Sequence, residues 1–372
     1  MKEEKNGPSI ERIIRICSII LFLLASFLLV SCTKDDKNHI DTVDIRERDN
    51  KPLMKVAEEE LIETAGWLSQ NEVLTIEQGD DGQAVYLHQF NEKEPIELFR
   101  TSDAIMSADA SASGEYVAIT HSNKSDSATL LIISRDGKKV LSREIISSYV
   151  LFEWDNTKDH QERLLVMALK EDWSYDSLLI NAETTEETQL SLPKPFIQWI
   201  DDKNIAYIGD ATGAGEPVHQ YDLEMEENKV IHEDAVGIYS KYGKTIIALV
   251  DELKASMTLK VYSEGDFGEP VQEIVIPALA HDGEYLMPYM DVPEDGNSIF
   301  VLAPLTGDAS SLYELFKWDL RSNERERIID RINNEPIACN TDGTYCLYGH
   351  LLDSLIDVRE KTIEKFSQAE IM

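Results

Sequence analysis

Seven short runs, β-branched, alternating or wholly apolar, recur along this chain at a nearly constant interval. EVLTIEQ begins at residue 72, YVAITHS at 116, RLLVMAL at 163, NIAYIGD at 204, TIIALVD at 245, SIFVLAP at 298 and TYCLYGH at 344. Successive starts lie 44, 47, 41, 41, 53 and 46 residues apart. A fixed period of this size marks one supersecondary unit repeated along the chain. Most of the runs follow a tight-turn signal tolerant of positive φ, such as Gln70-Asn71, Ser113-Gly114, Asp295-Gly296 or Asp342-Gly343. The third run has no clean turn before it.

Each run has company. Upstream lies another strand, often with an aromatic near its end: Trp67, Trp154, Trp199, Tyr239 and Tyr289. Downstream lies a third strand, such as AVYLHQF, TLLIISR or YELFKWD, and then a fourth, such as KKVLSRE or EPVQEIVI. Four antiparallel strands per repeat spell an all-β chain folded as a β-propeller of seven blades. A solenoid would have shorter repeats, and a sandwich would not hold the period. Six blades is the alternative if one unit is not independent. The recurrent aromatics are expected to fill the space between blades on innermost strands. The polar residues just before two of them, Glu153 and Gln198, would then point toward the central channel.

The N-terminus has a different character. A basic start leads into ICSIILFLLASFLLV (Ile16–Val30), too short for the roughly 20 apolar residues of a transmembrane helix but suited to a signal peptide. Leu29-Val30-Ser31-Cys32 then resembles a bacterial lipobox, with a small residue before a nucleophilic cysteine. Residues 1–31 are expected to be cleaved and Cys32 to carry S-diacylglyceryl and N-acyl groups. Two or more chains anchor stably where one is marginal. Residues 33–60 are polar and read as a tether, with KVAEEELIE (Lys55–Glu63) a candidate short helix. The propeller takes up 61–372.

Charge narrows the partners. Acidic residues number 70 against 35 basic, a net −35. Segment 1–31 holds Lys2, Lys5, Arg12 and Arg15 against Glu3, Glu4 and Glu11, so its removal leaves the body one unit more negative. Such a field repels phosphate backbones and anionic headgroups, which excludes non-specific nucleic-acid binding and a basic membrane patch. The membrane partner is reached through the lipid alone.

Catalytic motifs are scarce. No pair of histidines has helical metal-ligand spacing, and no G-x-S-x-G occurs. GDATGAGEP (Gly209–Pro217) lacks the lysine and hydroxyl of a phosphate loop, and the acidic turns EQGDDGQ and DVPEDGN lack the calcium-loop pattern. No cofactor and no metal site is expected. The KEDWSYD loop (Lys170–Asp176) offers Trp173 and Tyr175 as an aromatic contact pair. With Cys17 in the signal and Cys32 lipidated, Cys339 and Cys346 remain. A two-residue turn at Asp342-Gly343 sets them opposite each other as a hydrogen-bonded pair, about 5.5 Å between Cα atoms, within disulfide range. Two small core residues side by side is the alternative.

The lipobox, the tether and a first blade opening GWLSQNEVLTI (Gly66–Ile76) together resemble the YqgU-like lipoproteins of Bacillus-type bacteria. That resemblance implies a six-bladed propeller, one fewer than the repeats counted, and brings no catalytic residues. The function expected is a non-enzymatic binding platform, lipid-anchored on the extracytoplasmic face of the cell membrane and engaging an envelope protein or polymer. A glycan or peptide hydrolase or lyase is the first alternative, favoured by channel carboxylates of raised pKa. A small-molecule or metal sensor is the second.

Overall fold

Strands apolar at every position need cover on both faces, and the architecture supplies it. In the second strand of blade 3, β11 (Arg163–Leu169), Leu164, Val166 and Ala168 pack toward blade 2. The alternate Leu165, Met167 and Leu169 pack toward blade 4. The corresponding β25 of blade 6 (Ser298–Pro304) is buried at all seven positions. Each such Leu, Ile or Val contributes roughly 1.5–3 kcal/mol by leaving water. This two-sided burial is why the runs read as apolar rather than cleanly alternating.

The structure, a computed structural model, describes residues 56–368 apart from 58–59, 91, 148, 160, 211–215, 282–283 and 307–311. The signal segment, Cys32 and the tether as far as residue 55 lie outside the described residues. Among the described residues there is no helix. Seven four-stranded antiparallel sheets follow one another along the chain, each built from consecutive strands. They occupy residues 61–101, 104–146, 149–190, 198–235, 237–277, 290–332 and 337–365, and they form the blades of a propeller. Buried apolar clusters fill the junctions from blade 1 through blade 7 and back to blade 1. The outermost strands are open to water: β31 of blade 7 (Thr362–Lys365) is exposed throughout.

Among the described residues, closure between blades 7 and 1 uses no exchanged strand. Val56, Leu61, Val73, Leu347 and Phe366 form the apolar seam. Thr64 N donates to Leu351 O at 3.1 Å, and Asn340 Nδ2 donates to Gln70 O at 2.9 Å. A short parallel pair, β1 (Val56–Ala57) with β32 (Ser367–Gln368), brings the two ends of the described chain together. This corrects the helix expected over 55–63: among its described residues, 56–57 are strand, 60 is a turn and 61–63 open β2 (Leu61–Ser69). The long 53-residue interval also has its cause. A hairpin of β22 (Leu279–His281) and β23 (Glu284–Leu286) is inserted ahead of blade 6.

Cys339 and Cys346 face each other across β28 (Ile337–Cys339) and β29 (Tyr345–Tyr348), with Cα atoms 3.8 Å apart and sulfurs at bonding distance. The site is not the hydrogen-bonded one anticipated. Gly343 N donates to Asn340 O, and Asn340 N to Tyr345 O, so the loop is Thr341–Thr344 and Asn340–Tyr345 is the bonded pair. Cys339 N turns instead to Asp291 Oδ2, at 2.6 Å.

We propose that this pair is oxidised in the mature protein. Alkylation under denaturing, non-reducing conditions should leave Cys339 and Cys346 unmodified, and prior reduction should expose both. A C339S/C346S variant should lose about 2–3 kcal/mol of stability, the chain-entropy value for so short a loop. Two alkylatable thiols without reductant would remove the proposal.

Candidate functional site in the central channel

The pairing register defines one equivalent position on each innermost strand. It holds Gly66, Asp109, Glu153, Gln198, Tyr239, Asp291 and Ala338 in blades 1 to 7. The residue after it is the wedge between blades, and the tryptophans occupy it. Trp67 Nε1 donates to Ala338 O at 2.8 Å, Trp154 Nε1 to Asp109 O at 3.2 Å, and Trp199 Nε1 to Glu153 O at 3.4 Å. Each indole thus grips the carbonyl of the equivalent position on the preceding blade. Tyr289 does not share this role: it lies before β24 (Met290–Asp291), is 40% exposed, and the register gives its place to Val292.

A cavity of about 350 Å³ occupies the channel, lined from blades 1 to 5 and blade 7. Glu153 and Gln198, the residues singled out from the sequence, both stand on its wall. Glu153 Oε1 accepts from Asn156 Nδ2 at 3.2 Å, and Gln198 Oε1 accepts from Ser240 N at 3.2 Å. Tyr239, named above among the strand-end aromatics, lines the same wall, and Asp109, Lys241 and Tyr242 join it without having been picked out. Blade 2 carries Ala110 where its neighbours have tryptophan, so no aromatic flags Asp109. The pairing register is the signal that finds it.

Behind the wall, Asp291 ties three blades together. Its Oδ1 accepts from Tyr239 Oη at 2.7 Å, Lys241 Nζ at 2.8 Å and Val292 N at 2.9 Å, while Oδ2 takes Cys339 N. The carboxylate is 2% exposed and needs every one of these donors. Burial works against the Lys241 ammonium, but the Asp291 charge and hydrogen bond, with the nearby Tyr242 and Asp109, together outweigh it, and its pKa is raised. Burial, then the Asp291 charge, holds the Tyr239 hydroxyl well above the phenol range.

Asp109 and Glu153 are half-buried, opening on the channel but surrounded by protein on all sides. Burial pushes Asp109 up to about 7, against the pull of Ala110 N and of Lys241. It pushes Glu153 up to about 8, with the Asp109 charge adding to the effect and Lys241 opposing it. These are two coupled carboxyls titrating near neutrality beside one ammonium.

The two ends of the channel differ. Leu61 faces Glu77 and Ser69 faces Glu72, so β2 starts on the side of the hairpins that join second and third strands. The other inner strands follow suit. On that side stand Trp173 (84% exposed), Phe196, Leu253 (99% exposed), Leu305, Leu312 and Leu351. The channel cavity lies toward the opposite side, at the ends of the inner strands, and Leu352 alone reaches it from the apolar side. Trp173 and Tyr175 do not form one exposed surface. Tyr175 packs inward, its hydroxyl donating to Leu192 O at 2.7 Å, while Trp173 sits at a hairpin tip with φ 66°.

Comparison with known proteins places these features. A family model described as the YqgU-like 6-bladed beta propeller domain matches residues 89–349. With the inserted hairpin set aside, the strands in that window are one short of six full blades, whereas the whole ring has seven. The chain is 20% identical over 352 residues to the protein named Uncharacterized lipoprotein YqgU of Bacillus subtilis (strain 168), covering 91% of this chain and 94% of that one. A crystal structure of an uncharacterized protein from Listeria monocytogenes EGD-e superposes with a TM-score of 0.76 at 16% identity, over 86% of this chain and 98% of that one. An oligogalacturonate lyase in complex with manganese reaches 0.51 at 10% identity, over 79% and 86%. These structural likenesses concern the fold alone.

The raised carboxyls carry a sign. Both favour the protonated form in the folded protein, so the stability this contributes is complete below the ordinary carboxylate range. It is lost as pH climbs through about 7 and 8. A D109N/E153Q variant should therefore exceed the parent by roughly 2 kcal/mol at pH 8.5, after allowing for channel water, and by far less at pH 5. Denaturant unfolding at the two pH values checks this.

Proposed function

The chain belongs to the YqgU-like 6-bladed β-propeller domain family, and from that premise we propose a non-catalytic binding module held at the extracytoplasmic face of the cell membrane. Residues 1–31 are removed, Cys32 is lipidated, and the partner is a cell-envelope protein or polymer. The observation that carries this reading is the division of the ring into two unlike faces. The chain enters β2 on the side bearing the exposed apolar tips, and the polar channel cavity lies toward the other side. A lipid tether on Cys32 would thus set Trp173 and Leu253 toward the bilayer and the channel away from it. Glu171 and Asp172 stand on the hairpin of Trp173, and Asp80 and Asp81 on the blade 1 hairpin of the same side, so contact with the bilayer is shallow and weakest on anionic lipid. The relative's name, a lipoprotein, agrees with the anchor.

One observation favours a second reading. Asp109 and Glu153, on neighbouring blades and titrating near neutrality, are the kind of pair a glycan or peptide hydrolase or lyase employs. Among the described residues no three His, Cys, Asp or Glu side chains group as metal ligands, so such chemistry would rest on these two carboxyls and the adjacent Lys241.

Crosslinking in intact cells followed by pull-down should enrich a specific envelope protein or polymer over an unrelated lipoprotein. C32A should move the protein out of the membrane fraction and abolish that enrichment. Brominated lipids in neutral vesicles should quench Trp173 fluorescence of the anchored protein. Enrichment no greater than the control removes the platform reading. Turnover of envelope glycan or peptide by the purified protein, lost in E153Q, replaces it with the second.

A further inference from the structure

The cavity presents acceptors with too few donors. Asn156 Oδ1 is buried and lacks a hydrogen-bond partner among the described residues. Among the described residues, Glu153 receives Asn156 Nδ2 on Oε1 alone, and Asp109 receives Ala110 N on Oδ1 alone. The charges are equally unbalanced. Lys241 is the ammonium on the cavity wall, and it donates to Asp291, which lies behind that wall. Asp109 and Glu153 therefore share only the outer field of a cation already committed elsewhere.

We infer that the channel binds a small organic cation, an ammonium or guanidinium group that seats its N–H donors on Asp109, Glu153 and Asn156. This deepens the binding-module reading, on which it rests, by naming the chemistry of what the channel takes. An alkylammonium brings three donors and one positive charge, which answers both deficits with one group. The aromatic wall suits it as well. Trp67, Tyr239 and Tyr242 line the cavity, and the Lys241 ammonium already lies 5.3 Å from the Tyr242 ring centroid, a cation–π distance. The net charge of −35 draws cations toward the mouth and repels anions. A cavity of about 350 Å³ admits an amine terminus, whether of a free molecule or of a protruding side group.

Seating a cation requires ionised carboxylates, so binding should release protons. The titratable groups around the seat are Asp109 on β6 (Ala104–Ala110), Glu153 on β10 (Tyr149–Trp154) and Tyr239 and Lys241 on β18 (Gly237–Lys241). Tyr242 follows β18, and Asp291 and Glu294 lie behind it. The tyrosines are raised and stay neutral, and Lys241 stays charged, so the two raised carboxyls set the pH dependence.

The test is calorimetry on the full-length, detergent-solubilised protein with putrescine and with its neutral isostere 1,4-butanediol. Putrescine should bind saturably, at least ~tenfold more tightly at pH 8.5 than at pH 6, with proton release that varies with buffer ionisation heat. Butanediol should not bind. D109N/E153Q should weaken putrescine at least ~tenfold while keeping a cooperative melt, and Q198E should tighten it. Equal binding of the diol, pH-independent binding, or full affinity in D109N/E153Q would overturn the inference. A partner enriched from cells with no diamine binding would leave the platform reading standing and sink this one.

Discussion

Every blade of this ring depends on its neighbours, because the second strand of each sheet is apolar on both faces. A single blade in water would expose two full faces of Leu, Ile and Val, and an open chain of blades would still expose one at each end. Closing the ring removes both ends at once. Among the described residues no strand is exchanged between first and last blades, so the seam rests on side-chain packing around Val73 and Leu347 and on a few long-range hydrogen bonds. Trp67 spans that seam as Trp154 and Trp199 span ordinary junctions, gripping a backbone carbonyl across it. The first and last blades therefore meet as any other pair does.

Blade 6 strains this plan. Its inner strand β24 is only two residues long and follows an inserted hairpin, so it brings little ladder to hold itself in place. Asp291 compensates with hydrogen bonds to Tyr239 and Lys241 on blade 5 and to Cys339 N on blade 7. A buried carboxylate costs several kcal/mol in desolvation unless paired, and this one is paired with an ammonium and three further donors. The pairing also fixes Lys241, which faces the channel. Structure and site are thereby linked through one residue.

Sequence reasoning reached the parts of the molecule that two-sided burial writes plainly. The period, the blade count and the tight turns follow from runs such as RLLVMAL, which only a doubly covered strand would require. The channel was half legible. Glu153 and Gln198 stand out because a tryptophan follows each, and the tryptophan marks the wedge position. Asp109 precedes Ala110, and Asp291 opens a segment that reads as an acidic turn, so neither carries a local mark. Only the pairing register aligns them. The loop before Cys346 was misread by its length, since Asn340 uses its side chain to receive Tyr345 N and so widens the turn.

The polarity of the ring follows from the same register. Inner strands all start on one side, so whatever is carried by their entries and by the adjacent hairpins shares one face, and whatever follows their ends shares the other. Leu253 and Trp173 fall on the first, and the cavity with its carboxyls lies toward the second. Hydrophobic tips and unpaired acceptors make opposite demands: one seeks to leave water, the other seeks donors. Placing them on opposite sides lets a single rigid body meet an apolar surface and a charged ligand at once. Leu352, reaching the cavity from the apolar side, is the point where the two demands meet.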